Sequence, residues 1–442
     1  MVKKDYIKFF IYLSVLTVLV NGFCLIYFLP FLLIPLLLIF IFINLFTGTI
    51  LNPIKNFRLK CCYHGAYLLF LFQISTLLSI LFHIISAFFL IPQKWWVFIF
   101  SIIFCYCLEF VIFWNGILCV YLTSVQLGLK QRFFGILCGR IPILNLVCLN
   151  VILRTVFKEV KFEAKKEQLN IQRKNLKICE TKYPCLFVHG VFFRDTKYFN
   201  YWGRIPKELE RNGAKVYYGN HQSAASVYDS AVELSERIKE IVKTTGCEKV
   251  NIIAHSKGGL DCRYAISELE LAPYVASLTT INTPHRGCYF ADFLLDKSSQ
   301  KLKNKVAKTY NSSLKKFGDK NPDFLAAVNN LTKSYCEDFN QRIPLPENIF
   351  CQSVGSKVKK ATSGKFPLNF SYHLVKLFDG ANDGLVSEKS FSWGEKYTFI
   401  EPVGTTGISH GDMIDLNRRN FDGFDVREFY VNLVNDLKNR GL

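Results

Sequence analysis

The sequence predicts an α/β domain, a mostly parallel sheet with helices on both faces, preceded by an all-α transmembrane region. Three observations predict it. The apolar excess of the 442-residue chain, half hydrophobic with 41 phenylalanines, sits in about the first 150 residues, in runs of the roughly 20 apolar residues that cross a bilayer. From Cys185 onward, short apolar runs alternate with helical stripes, the rhythm of parallel strands joined by covering helices. The stretch from Val250 to Leu260 reads as a buried strand that runs through a tight, glycine-bearing turn into a helix.

Taken in order, residues 1–157 are expected to form the transmembrane region, 158–180 a charged linker and 181–442 the α/β domain. Lys3, Lys4 and Lys8 precede an apolar run that continues past Pro30, longer than a signal-peptide core. Four spans are expected, at about 9–29, 31–51, 66–91 and 96–118, with Trp95 and Trp96 at an interface. Lys55, Arg58, Lys60, Lys130, Arg132 and the stretch from Lys158 then share one face with the N-terminus, which makes that face cytoplasmic. Residues 133–157, broken by Arg140 and Pro142, suit an interfacial helix; as a fifth span they would place the rest outside. Glu109, within the fourth span, is expected to pack against another helix or to be protonated in place.

A formal charge of +19 calls for an anionic partner. With no helix-turn-helix, zinc-finger or aromatic-basic motif beside it, the expected partner is the membrane bilayer and not a nucleic acid. Fifteen cysteines lie scattered, without Cys-x-x-Cys spacing, as small buried hydrophobes of a reduced compartment. The expected placement is therefore a multi-pass membrane protein with the α/β domain in the cytoplasm.

Within that domain, Cys185 to Val188 is a strand ended by His189-Gly190. A helix from about Lys207, capped by Gly213, leads to strand Val216 to Tyr218, and Val227, Ala231, Leu234, Ile238 and Ile241 form a helical stripe. Strand 249–254 then feeds Ala254-His255-Ser256-Lys257-Gly258, a turn that holds a serine hydroxyl at the mouth of a sheet with the next backbone N–H beside it. A strand from Ala276 to Ile281 ends in Asn282-Thr283-Pro284-His285-Arg286-Gly287. Asn382-Asp383-Gly384 and Ser409-His410-Gly411-Asp412 follow much later. Serine, acid, histidine is the triad order of α/β-hydrolases. Serine is a weak nucleophile and needs an imidazole to take its proton; the imidazole needs a carboxylate to fix its tautomer. Asp379 and Asp383 compete for that place, and Asn-Asp-Gly favours Asp383 because its tight turn presents the carboxylate. His255 and His285 read as loop-shaping hydrogen-bonders, and His189 as a residue that orients the neighbouring loop.

His189-Gly190-Val191-Phe192, Tyr201-Trp202 with Ile205-Pro206, Ala254 to Gly259, Thr283 to Gly287, Asn382 to Val386 and His410-Gly411-Asp412 together resemble the bacterial triacylglycerol lipases, over about 183–435. The resemblance implies Ser256 as nucleophile, Asp383 as acid and His410 as base, with the N–H groups of Val191 and Lys257 as oxyanion hole. It also implies a structural calcium near the histidine, where Asp412 matches one ligand. A single matched carboxylate is too few for a hard cation, so no cofactor is expected to be required, and Asp412 is otherwise a hydrogen-bonder around His410. The lysine-dense segment 297–320 carries Leu302, Val306, Tyr310, Leu314 and Phe317 at helical spacing and reads as a basic amphipathic lid or as a solvated insertion. The expected function is a membrane-anchored lipase or esterase acting on a lipid or other ester substrate. A thioesterase or acyltransferase with the same triad, and a non-catalytic scaffold or transporter with a ligand-binding domain, are the alternatives.

Overall fold

The computed structural model describes residues 3–50, 54–139, 141, 144–191, 200–222, 224–297, 299–316, 319–365, 368–401 and 404–442. Arg140, Pro142, Phe192 and Phe317 lie outside them. The chain divides into two compact units, Met1–Ile171 and Gln172–Leu442.

The first unit is helical among its described residues. Helix Lys3–Val20 stops at Asn21-Gly22, so the apolar stretch 9–29 is not one continuous helix; Phe23–Phe28 is a separate short helix. Among the described residues two helices are long and apolar enough to cross a membrane, Pro30–Gly48 and Phe57–Thr123, with mean hydropathies of 2.5 and 2.4. The second runs for 67 residues but leaves helical geometry at Lys94, two residues after Pro92. Its arms lie side by side beyond that kink: Ser101 Oγ is 3.3 Å from His83 Nε2, and Ser75 Oγ donates to Glu109 Oε1 at 2.7 Å. The partner of Glu109 is thus a serine on the opposite arm. The charged stretch after 157 continues helix Leu144–Arg173. Glu159 in it is buried and accepts from Arg58 (2.8 Å), Ser124 Oγ (2.6 Å) and the N–H groups of Val125 and Gln126 (3.1 Å each).

The second unit begins before the expected boundary. Arg173 is buried in an ion pair with Glu428 at 2.6 Å and lies 3.4 Å from Glu208. Among the described residues six strands form one wholly parallel sheet: β1 (Cys185–Val188), β2 (Val216–Tyr218), β3 (Val250–His255), β4 (Val275–Ile281), β5 (Phe350–Ser356) and β6 (Lys396–Ile400), in the order β2-β1-β3-β4-β5-β6. Alternation along each strand serves both faces. Leu186, Val188, Ile252 and Leu278 pack on Leu234, Ile238 and Ile266 of helices Val227–Thr245 and Gly258–Glu268. Phe187, Ile253 and Ile281 pack on Trp202, Tyr430 and Val434, the last two from helix Val426–Asn439.

Strand order reverses at β1, whose two neighbours are β2 and β3, the point at which open α/β sheets in general form a crevice outside the carboxyl ends of the strands. This is the α/β-hydrolase fold, as the sequence predicts. Trp202 anchors one face of the sheet: fully buried, its ring meets Phe187 at 4.7 Å and Tyr430 at 6.1 Å. Trp202→Ala leaves a cavity that neighbouring strands cannot close, and a loss of about 3–5 kcal/mol is expected. A fall of several degrees in the thermal unfolding midpoint of the full chain checks it.

Candidate active site

The carboxyl end of β3 carries Ser256 in the left-handed region at φ +55°, a conformation that a residue with a side chain adopts only when its surroundings hold it there. Two bonds do so. Its N–H donates to Ile281 O of β4 at 2.9 Å, and its carbonyl accepts from Gly259 N at 3.1 Å as helix Gly258–Glu268 begins. The turn also needs room. A Cβ on Gly190 would fall 2.7 Å from the Ser256 Cβ, and one on Gly259 would collide with Thr283. These glycines are present because backbone passes where a side chain has no space.

Asp383 and His410 come together although 27 residues separate them. His410 Nδ1 lies 2.7 Å from Asp383 Oδ2. An ionised carboxylate only accepts, so Nδ1 carries the hydrogen and Nε2 keeps its lone pair. Asp383 is fully buried, and its other partners fix it: Asn282 Nδ2 donates to Oδ2 at 2.6 Å, and the N–H groups of Leu385 and Val386 donate to Oδ1 at 2.9 and 2.8 Å. The His410 N–H donates to Asp383 O at 2.9 Å, so the backbone joins the two loops as well. The carboxylate facing His410 is therefore that of Asp383; the Asp379 carbonyl accepts from Ser387 Oγ at 2.9 Å, at the end of helix Leu368–Asp379.

The residue before the serine ties this histidine to the loop after β1. Gly190 N donates to Tyr201 Oη at 3.1 Å, and Tyr201 Oη lies 2.7 Å from His255 Nδ1. Having accepted from Gly190, the hydroxyl gives its one hydrogen to His255, which carries its own on Nε2 and donates it to His410 O at 3.2 Å. Burial first, and then the neighbouring His410, hold His255 well below the usual histidine range, so it stays neutral. Val191 and Lys257 are buried beside the elbow, and neither N–H donates to another protein group among the described residues.

The Lys257 side chain belongs to a separate network. Its ammonium donates to Asp261 Oδ1 (2.6 Å), Ser230 Oγ (3.1 Å) and Ser226 O (3.3 Å), which uses all three hydrogens. Burial still pushes the Asp261 carboxyl up to about 6, against the pull of Lys257. His189 spans Gly190 O (2.9 Å) and His221 O (3.0 Å), and its ring stacks on His221 at 3.9 Å. His285 is held among Arg263, Thr280 and Trp393. The sequence reading names Tyr201 only as part of a motif block; its bridging role and the Lys257–Asp261 pair escaped it. The i, i+4 spacing of the pair was visible in the sequence, whereas the bridging place of Tyr201 depends on the fold.

Asp412 is buried, with its Oδ1 lacking a hydrogen-bond partner among the described residues. Its Oδ2 accepts from Ser409 N and Oγ at 3.1 and 2.6 Å and lies 3.5 Å from Arg419. Asp415, nearby, is engaged by Arg204 at 2.7 Å. Among the described residues no three His, Cys, Asp or Glu side chains converge on a metal position, so this donor set does not fit calcium.

Beside Ser256 lies a cavity of about 390 Å³, walled by Pro284, Ala291, Leu295, Leu302, Val306 and Leu385 among others. Leu302 and Val306 come from helix Gln300–Lys316, inside the lysine-dense segment. Farther along that helix, Tyr310 stacks on Phe324 at 4.6 Å and Leu314 is buried.

The chain is 36% identical over 178 residues to a triacylglycerol lipase of Pseudarthrobacter phenanthrenivorans, a match that covers 37% of this chain and 54% of that protein. It is similar in sequence to triacylglycerol lipases. Triacylglycerol lipase 2 of Saccharomyces cerevisiae is 28% identical over 278 residues, covering 56% of this chain and 77% of that one. The chain spans about half the length of the bacterial relatives it matches, 54% for the Pseudarthrobacter protein and 49% for a Burkholderia plantarii triacylglycerol lipase. No family model matches. Among solved structures, Staphylococcus hyicus lipase superposes with a TM-score of 0.47 at 19% identity, over 59% of this chain and 97% of that one.

Removing one partner of a buried pair leaves an uncompensated charge, whereas removing both leaves none. Asp261→Leu is therefore expected to cost about 3–5 kcal/mol, and Lys257→Met with Asp261→Leu to return most of it. Unfolding midpoints of the two variants check this; a double variant no more stable than the single one would contradict it.

Proposed function

We propose that this protein is a membrane-anchored serine hydrolase that cleaves carboxylic esters of lipids through an acyl-enzyme on Ser256. The observation that carries the reading is the His410–Asp383 pair held at a strained serine elbow, beside an apolar cavity with Ser256 in its wall. The lipase relatives support the substrate class.

In this reading the ester carbonyl sits against Ser256 Oγ with its acyl chain in the cavity. His410 Nε2 takes the hydroxyl proton as Oγ bonds to the carbonyl carbon, and Asp383 stabilises the imidazolium that forms. The carbonyl oxygen becomes an oxyanion, held by the N–H groups of Val191 and Lys257; such a donor is worth roughly 2.7–4 kcal/mol in the transition state. His410 then returns its proton to the departing alkoxide, which leaves as the alcohol. Water, deprotonated by the same nitrogen, attacks the acyl-enzyme; the fatty acid leaves and Ser256 regains its proton.

The anchoring rests on the first unit. Along its helices large apolar side chains such as Ile34, Leu38, Phe88 and Phe89 are exposed, as they are on lipid-facing helices. In this proposal the region to about residue 157 spans the bilayer four times, the two arms of Phe57–Thr123 providing two of the spans. The domain from 181 then lies on the cytoplasmic side with the basic clusters.

Ser256→Ala is expected to abolish covalent labelling by a serine-directed fluorophosphonate, and persistent labelling would defeat the assignment. Asp383→Asn is expected to lower kcat by about 10³- to 10⁴-fold, with Asp379→Asn close to the parent. Steady-state hydrolysis of a soluble short-chain ester checks the pair, and the reverse ranking would move the acid to Asp379.

A further inference from the structure

Helices of the second unit bury their apolar residues almost without exception, and the exceptions gather in one place. Among the described residues, seven of this unit's eleven exposed large hydrophobics lie on three helices: Tyr289–Lys297, Gln300–Lys316 and Leu368–Asp379. Helix Val426–Asn439 contributes none of them. Apolar residues grouped in this way mark a contact surface, whereas single ones scattered over a protein do not.

Helix Leu368–Asp379 is amphipathic with two apolar faces. Tyr372 and Val375 are buried against the domain, and Leu368 packs beside Gly384 and Gly411 of the two catalytic loops. On the outer face, Phe370, Leu374 and Leu377 follow one another at i, i+4 and i+7, exposed by 71, 36 and 77%. That spacing makes one stripe, about 10 Å long at 1.5 Å per residue. Toward its C-terminal end the helix rests on Tyr289–Lys297 through Phe378, whose ring lies 4.6 Å from that of Phe293. Tyr289–Lys297 in turn supplies Ala291 and Leu295 to the cavity wall, next to Leu302 and Val306 of Gln300–Lys316. The stripe and the lysine helix therefore flank the same mouth.

Charge selects the occupant. Gln300–Lys316 carries six lysines and no acidic residue, and Lys301, Lys305, Lys308, Lys315 and Lys316 are exposed. Among the described residues none of these five ammonium groups takes part in an ion pair. A second copy of this chain would bring the same unpaired cations together, whereas a bilayer with anionic headgroups over an acyl layer satisfies both features. We infer that helix Leu368–Asp379 is a lipid-docking element: its Phe370, Leu374 and Leu377 stripe seats in the acyl layer of an anionic bilayer. The exposed lysines of Gln300–Lys316 meet the headgroups, and the cavity mouth is held against the lipid. The inference rests on the lipid-ester reading for its purpose, but its geometry is independent of catalysis.

The test uses the full chain reconstituted in phosphatidylcholine bilayers with and without phosphatidylglycerol. Leu374→Trp, made also in the Ser256→Ala background, is expected to add emission that acyl-brominated lipid quenches, more strongly with phosphatidylglycerol present. Phe370→Ser with Leu374→Ser and Leu377→Ser is expected to lower hydrolysis of a bilayer-borne long-chain ester about tenfold and that of a soluble short-chain ester less than about twofold. Lys301→Glu with Lys305→Glu and Lys308→Glu is expected to remove the phosphatidylglycerol dependence. An added tryptophan that brominated lipid does not quench would overturn the inference, as would equal losses on the two esters. A change from dimer to monomer in the serine variant without lipid quenching would assign the stripe to a second copy and overturn it too. Should no form hydrolyse any ester, the functional reading fails while the quenching still decides the docking.

Discussion

Everything at the carboxyl edge of the sheet depends on one strained residue. Ser256 holds a left-handed backbone that a non-glycine residue enters at a cost of roughly 1–2 kcal/mol. The cost is met by its hydrogen bond into β4, its carbonyl bond to the first turn of the following helix, and glycines at 190 and 259 that let neighbouring backbone come close. The register of β3 on β4 fixes the first of these, since Ala254 pairs with Thr280 and His255 with Ile281 immediately before the turn. The parallel sheet thus serves as the frame that keeps one side chain in an unfavourable conformation.

Around this serine the polar groups form a closed set. Asp383 has no solvent exposure, and its carboxylate is shared by His410, Asn282 and two backbone N–H groups, so it neither rotates nor meets water freely. On the other side, Tyr201 joins the loop after β1 to His255, and His255 joins the His410 backbone. The loop that carries Val191 and the loop that carries His410 are therefore positioned through His255, the residue preceding Ser256. Hydrogen bonds of this kind, removed from water, are individually modest but costly to leave half made.

What was legible in the sequence follows from what burial does to composition. β1, β3 and β4 are buried on both faces and read as apolar runs, and the elbow, the acid and the histidine sit in turns with distinctive small residues. β5 escaped because its buried positions are polar and paired: Gln352 donates to Thr279, Ser353 to Trp393 O and Ser356 to Ile408 O. β6 escaped because every one of its residues is partly exposed or open to solvent, which leaves no alternating pattern. In the first unit the apolar runs gave the helices and the breaks at Pro30 and near Pro92, where the long helix kinks at Lys94, but not the turn at Asn21-Gly22. The cavity and the bridging place of Tyr201 join residues distant in sequence, so no local pattern carries them.

The proposed function joins the Ser256 elbow, the His410–Asp383 pair and the apolar cavity in one reading, an ester cleaved through Ser256. Trapping the intermediate tests this most directly. The full chain is mixed with a long-chain ester, quenched in acid during turnover, digested, and the peptide containing Ser256 weighed by mass spectrometry. The account predicts that this peptide gains the mass of the acyl group, and that the gain is absent from the Ser256→Ala protein. Steady turnover with the acyl mass on a different residue would contradict it.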